Sequence, residues 1–289
     1  MALLNPHQFR TLVAIGTKNK KNFACLATGF IVGFTAHNSK DFSKKRYYLF
    51  LVTNRHVFDN KQNVYLRFNK KDGKSVAINQ GLFFPNGEQR WLAHKNKKVD
   101  LALLNISPEV LTQNGIDYDF FAEDNFAYHK DFKKTGIEVG DEIYVIGFPL
   151  GLSGNIQNYP CAKYGILSRL DNELVKNDKS FLVDASIFPG NSGGPVVLKP
   201  TNTALTGTTA VTNTHLLGVV KGYLLYEEQL YSLQSNPPRA VSLARENSGL
   251  AQVVPMDFAR QIFNVWKEQK KRLEKAAKSK SQEENQELK

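Results

Sequence analysis

The chain has 289 residues, 42% of them hydrophobic, a formal net charge of +11 and only two cysteines. That length suits one large β-rich domain or two modest ones with a real core, and Cys25 and Cys161 fall in no C-x-x-C or Cys/His cluster, so no structural zinc site is suggested. The longest apolar run, YYLFLV at 47–52, is far short of the ~20 residues of a membrane helix, and MALLNPHQFRTLVAIG lacks the basic start and small-residue cleavage site of a signal peptide; a soluble, cytoplasmic chain with reduced thiols and no membrane partner is expected.

In chain order, short β-branched and aromatic runs alternate with Gly, Asn and Lys turns: LVAIGT, ATGFIVGF, YYLFLVTN, VYLRF, LALLNI, EIYVIGF, SFLVDASI, PVVL and LLGVVKGYLLY. So many turn-punctuated strands predict an all-β sandwich or barrel. The Thr-rich stretch 201–214 reads as a long hairpin loop. Residues 233–249 read as a second insertion, in which Pro237 and Pro238 break any strand. At Pro255 the pattern changes. Phe258, Ile262, Val265, Trp266 and Leu273 recur at helical spacing, and Pro255 with Asp257 suits a helix start. The expected organisation is a β domain over 1–255, a helix over 256–278 packed on it as a lid, and a disordered polar tail over 279–289.

Lysines cluster in turns at 17–22, 39–46, 69–74, 94–98 and 129–134. They are scattered over many loops and accompany no base-reading motif. Solvated turn lysine that guards strand edges is therefore the favoured reading, and a nucleic-acid partner the disfavoured one.

The chemistry centres on FPGNSGGPVV at 188–197. A serine hydroxyl needs a base to take its proton and donors to hold the oxyanion. Glycines around Ser192 free the backbone N–H groups of Gly190 and Ser192 for that task. Among six histidines, His56 stands out because it closes a buried strand in LFLVTNRHVF, where rigid backbone can aim it. Asp100 in KKVDLALLNI precedes an apolar strand; it reads either as a strand-start turn residue or as a carboxylate that needs hydrogen-bond donors such as His56. A nucleophile elbow would require an acid and then a histidine after the serine, followed by a helix. His215 follows with no Asp or Glu between, and Gly-Gly-Pro-Val-Val starts a strand. The order His56, Asp100, Ser192 is instead the chymotrypsin-type order.

On ATGFIVGF, TNRHV, VDLALL, IEVGDEIYVIGFPLGL, YGILSRL, DASIFPGNSGGPVV, GVVKGY and VVPMDFAR, the chain resembles the trypsin-like serine peptidases over about residues 10–257. Within them it is most similar to the HtrA (Deg) branch. The resemblance implies two perpendicular six-stranded β-barrels with the site between them, followed here by a C-terminal α-helix. It implies His56 as general base, Asp100 as its orienting partner, Ser192 as nucleophile, and the N–H groups of Gly190 and Ser192 as oxyanion hole. No metal or other cofactor is implied. The resemblance lacks an IVGG-like activation sequence and no PDZ domain is expected after the helix, so activation by an N-terminal cut and PDZ-based capture are not expected to carry over.

The substrate pocket is expected around Ser186, Ile187, Val219, Val220 and Lys221. Ser186 stands where basic-specific relatives carry an acid, so an apolar pocket for a small or medium side chain is expected. Lys221 turns either into the pocket, favouring an acidic residue before the scissile bond, or out to solvent. The expected partner is a protein or peptide substrate, joined by an activating partner protein. The competing reading is a catalytically silent pseudoprotease that binds protein or nucleic acid.

Overall fold

A computed structural model describes residues 4–20, 22–37, 45–201, 203, 206–232, 234 and 239–287, with side chains described as far as residue 276. After a short helix α1 (Pro6–Arg10) come β1 (Leu12–Asn19), β2 (Asn22–His37), β3 (Arg46–Thr53), helix α2 (Arg55–Phe58), β4 (Asn63–Asn69), β5 (Ser75–Gly81), β6 (Trp91–Ala93), β7 (Ala102–Asn105), helix α3 (Pro108–Gln113) and β8 (Phe121–Ala122). The second half holds α4 (Phe132–Thr135), β9 (Glu142–Gly147), β10 (Cys161–Arg169), α5 (Asn172–Asp178), β11 (Phe181–Asp184), β12 (Pro195–Leu198), β13 (Leu216–Ser232), β14 (Arg239–Pro255) and α6 (Met256–Glu287).

The all-β, chymotrypsin-like architecture with a C-terminal helix follows. The second sheet closes into a barrel in the order β10-β11-β14-β13-β12-β9. The first is an eight-stranded sheet ordered β5-β4-β1-β2-β3-β7-β6, with short β8 pairing parallel to β2.

Several strands carry near-continuous apolar runs because both their faces are covered. In β1, Val13 and Ile15 point into the first sheet's own core, whereas Leu12 and Ala14 join a central core shared by both halves. In β3, Leu49 and Leu51 face the former, and Phe50 and Val52 the latter. The second barrel repeats the arrangement: Val145, Val196 and Val220 fill its interior, while Ile146, Val197 and Val219 face the central core. Helix α6 completes that central core with Phe258, Ala259, Ile262 and Phe263, and Phe263 stacks on Phe34 at 4.2 Å between ring centroids.

Three local expectations change. Residues 239–249 are strand, not loop: β13 and β14 run on past the barrel as a two-stranded ribbon, paired from Leu225↔Asn247 to Ser232↔Arg239. Pro237 and Pro238 fall between the paired strands, outside the described residues. Helix α6 runs to Glu287, beyond the expected end at 278, through Lys, Gln and Glu of good helix propensity. On that helix Val265 and Leu273 are 61% and 71% exposed, so the apolar stripe that packs is shorter than the one that recurs. Among the described residues, no helix is long and apolar enough to cross a membrane.

Candidate active site

His56 lies on the one-turn helix α2, not at the end of β3 as expected, with buried Asn54 as the residue before that helix. The Asn54 side chain donates to the Asp100 carbonyl at 2.9 Å and so ties α2 to the approach to β7. Asp100 faces the helix with both carboxylate oxygens occupied. Oδ1 accepts the His56 backbone N–H at 3.0 Å, and Oδ2 lies 2.6 Å from His56 Nδ1. A carboxylate can only accept, so Nδ1 carries a proton, and in the neutral ring Nε2 then presents the lone pair. The imidazole side chain is 52% exposed and the carboxylate 15%: the first is accessible to a reactant, the second largely shielded from competing water.

Ser192 sits in a turn between Phe188 and β12. Asn191, fully buried, shapes it: its backbone N–H donates to the Phe188 carbonyl at 3.0 Å, and its side-chain Oδ1 accepts the Phe188 N–H at 3.1 Å. Gly190 has φ +97°, and a Cβ there would collide with the Phe148 carbonyl. Only glycine fits that conformation without strain. Beyond the serine, the Gly193 N–H donates to the Val220 carbonyl and the Val220 N–H to the Gly194 carbonyl, each at 2.9 Å. Among the described residues, neither the Gly190 nor the Ser192 N–H has a protein acceptor. They are the two donors an oxyanion would require.

His56, Gly190 and Ser192 line one cavity of about 250 Å³, walled by Ile15, Leu26, Val57 and Val64. The serine hydroxyl, however, donates to the Lys221 carbonyl at 3.4 Å. That is a long contact, and no Ser192–His56 hydrogen bond is present among the described residues. An arrangement of this kind, with a basic imidazole, a rotatable hydroxyl and two unoccupied amide donors around one cavity, can carry out acyl transfer once the hydroxyl turns to the imidazole. Among the described residues, no group of three or more His, Cys, Asp or Glu side chains is placed to hold a metal ion.

The expected pocket residues part company with this cavity. Ile187, Val219 and Val220 are buried in the two cores, and Ser186 is exposed. Lys221 is half-buried and contributes its carbonyl to Ser192. None of the five lines the cavity beside the serine.

Thr28 is the residue sequence reasoning passed over. It is fully buried on β2. Its Oγ1 donates to the Gly190 carbonyl at 2.7 Å and accepts the Phe148 N–H at 3.0 Å. Its own N–H donates to the Ser192 carbonyl at 2.9 Å, and its carbonyl accepts Thr53 Oγ1 at 2.8 Å. One first-sheet residue thus holds the serine turn from both sides. The available signal was a lone hydroxyl inside the apolar run ATGFIVGF.

The trypsin-like peptidase domain family matches residues 27–207, which span His56, Asp100 and Ser192. The chain belongs to the trypsin-like peptidases. It is 29% identical over 152 residues to the magnetosome formation protease MamE of Magnetospirillum gryphiswaldense; the match takes in 51% of this chain but only 16% of that protein's length. Among solved structures it is similar to the HtrA-type protease AlgW with a tripeptide (18% identity, 89% of this chain and 60% of that one, TM-score 0.46). It is also similar to the MamO protease domain of Magnetospirillum magneticum (12% identity, 89% and 98%, TM-score 0.47).

Proposed function

We propose that the protein is a serine endopeptidase that cleaves protein or peptide substrates through an acyl-enzyme, without a metal. The observation that carries the reading is the cavity shared by Ser192, Gly190 and a His56 already oriented by Asp100. As Ser192 Oγ attacks the scissile carbonyl carbon, His56 Nε2 takes its proton and the carbonyl oxygen becomes an anion between the Gly190 and Ser192 N–H groups. Asp100 stabilises the imidazolium. The C–N bond then breaks as His56 returns the proton to the leaving amine. A water, deprotonated by the same imidazole, releases the acyl group as a carboxylic acid and restores Ser192.

The second reading is a catalytically silent binding module, and one observation favours it: the resting hydroxyl donates to Lys221, away from His56. A fluorophosphonate serine-hydrolase probe separates the two. Labelling of the intact protein that disappears in Ser192→Ala supports the peptidase. A folded protein that stays unlabelled, alone and with substrate peptides, sinks it in favour of the binding module.

A further inference from the structure

We infer that the leaving-group side of the cleft is a two-part subsite, apolar next to Ser192 and cationic beyond it, which selects substrates with a carboxylate a few residues after the scissile bond. This rests on the peptidase reading and adds its substrate class. Three strands pass in order from one cavity to the next. On β1, Ile15, Gly16 and Thr17 line the cavity at Ser192, and Lys18 lines a second one of about 600 Å³. On β2, Leu26 and Ala27 line the first, and Asn22 and Phe23 the second. On β4, Val64 lines the first and Arg67 the second. Opposite them the wall passes from Pro189 and Gly190 to Gly154 and Asn155, and the two stretches are joined where the Leu150 N–H donates to the Pro189 carbonyl at 2.6 Å. His56, which must protonate the leaving amine, lines the first cavity, whereas Lys221, whose carbonyl accepts the Ser192 hydroxyl, lines neither.

The outer cavity is charged in one sense. Lys18 and Arg67 line it and no carboxylate does. Arg67 is only 6% exposed. Its guanidinium donates to Ser75 Oγ at 2.9 Å, Ser153 Oγ at 3.3 Å, the Gly154 carbonyl at 2.6 Å and the Asn155 carbonyl at 2.8 Å. Four of its five N–H groups are therefore used and one is left. Among the described residues no Asp or Glu forms an ion pair with it. A buried cation solvated by neutral dipoles and by the face of the Phe23 ring, 5.5 Å from its centroid, has no counter-anion and gains from an arriving one, and exposed Lys18 adds a second charge. The inner cavity is walled by Ile15, Leu26, Val57 and Val64; its one lysine, Lys61, has its Nζ donating to the Val57 carbonyl at 2.7 Å, so the apolar wall takes an apolar side chain first. The sequence selected is apolar, then acidic, after the cut.

The test uses quenched fluorogenic peptides identical up to the scissile bond, with Glu, Gln or Lys scanned over the second to fifth residues after it. A further pair ends in a free or an amidated C-terminus at those positions, which separates side-chain from terminal carboxylate. The reading is the ratio of kcat/KM for Glu over Lys within one enzyme preparation, so the folded fraction cancels. The expected ratio is about tenfold or more at one position at low salt, shrinking as salt rises. In Lys18→Glu, a change at an exposed site, it falls at least fivefold; in Arg67→Gln it falls further where that variant folds. Equal hydrolysis of Glu and Lys peptides by the unaltered enzyme, or a ratio indifferent to Lys18→Glu, overturns the inference while leaving the peptidase intact. Fluorescence anisotropy with Ser192→Ala and the same peptides supplies the converse arm. Glu-selective binding without hydrolysis by the unaltered protein upholds the subsite and removes the peptidase reading.

Discussion

The two halves of the molecule hold their parts of the site in different ways. The first half presents His56 and Asp100 as a finished pair: one carboxylate takes a ring N–H and a backbone N–H of the same residue, and Asn54 fastens helix and loop together. All of those bonds stay within the first half. The second half presents Ser192 on a turn that its own barrel does not complete. The turn's carbonyls at Gly190 and Ser192 are taken by Thr28 of the first half, and a Cβ at Gly193 would collide with Thr28 and Thr53. The imidazole is pre-organised locally; the nucleophile and its amides are held partly by bonds within their own turn and partly by docking of one half on the other. Loosening that docking would disarm the serine before it disturbs the histidine.

The largest expected effect tests the local pair. Asp100→Asn keeps size and burial but no longer fixes the proton on Nδ1. The expectation is a fall of about 10⁴-fold in kcat with the fold retained, read by peptide hydrolysis and circular dichroism. A loss of less than tenfold would mean that His56 is oriented by something other than Asp100.

Next comes the turn itself. Gly190→Ala places a Cβ against the Phe148 carbonyl at φ +97°, so the Gly190 N–H moves off its position. Losing one oxyanion donor costs about 10²–10³-fold in kcat, and probe labelling slows in parallel. Hydrolysis at the normal rate would show that the amide plays no part.

Thr28→Val is the sharper test of dependence between the halves. It replaces the hydroxyl by a methyl of similar volume, leaving the buried Phe148 N–H and Gly190 carbonyl without their shared partner. Each such loss costs about 1–3 kcal/mol, enough for a drop of several degrees in Tm. Labelling of Ser192 is expected to slow by at least tenfold. Unchanged labelling in a destabilised Thr28→Val protein would mean the turn holds its shape within its own barrel, and the contrast between the halves would fall.

What the sequence revealed follows the same division. Strand runs such as YYLFLV and EIYVIGF declare themselves because burial on both faces needs apolar residues at every position. His56, Asp100 and Ser192 announce themselves through local context and order. Thr28 and Arg67 do not, because each acts on backbone groups distant in sequence: Gly190 in one case, Gly154 and Asn155 in the other. Ile187, Val219 and Val220 lie near the serine in sequence or in strand pairing, yet their side chains face the cores. Strand β5, SVAINQG, is half-exposed along most of its length and too polar for its pattern to rise above the loops around it. The ribbon strand 239–249 was concealed by the prolines before it and by its polar, exposed composition.

The smallest expected effect concerns that ribbon. Beyond Leu225 and Asn247 its side chains, among them Tyr226, Leu230, Tyr231, Val241 and Leu243, are exposed, so it buries little against either barrel. Leu225 and Asn247 face each other in register, and a two-residue Asn-Gly turn can join them. Replacing 226–246 by Asn-Gly retains the Asn247 side chain, which donates to the Ile187 carbonyl at 2.5 Å behind the serine turn. Thermal melting is expected to shift by no more than about 3 °C, since surface segments without buried contacts contribute little, and probe labelling is expected to stay within twofold. A large fall in labelling at unchanged Tm would make the ribbon a third support of the serine turn, acting through Asn247, and the nucleophile would then depend on both its neighbour and its own extension.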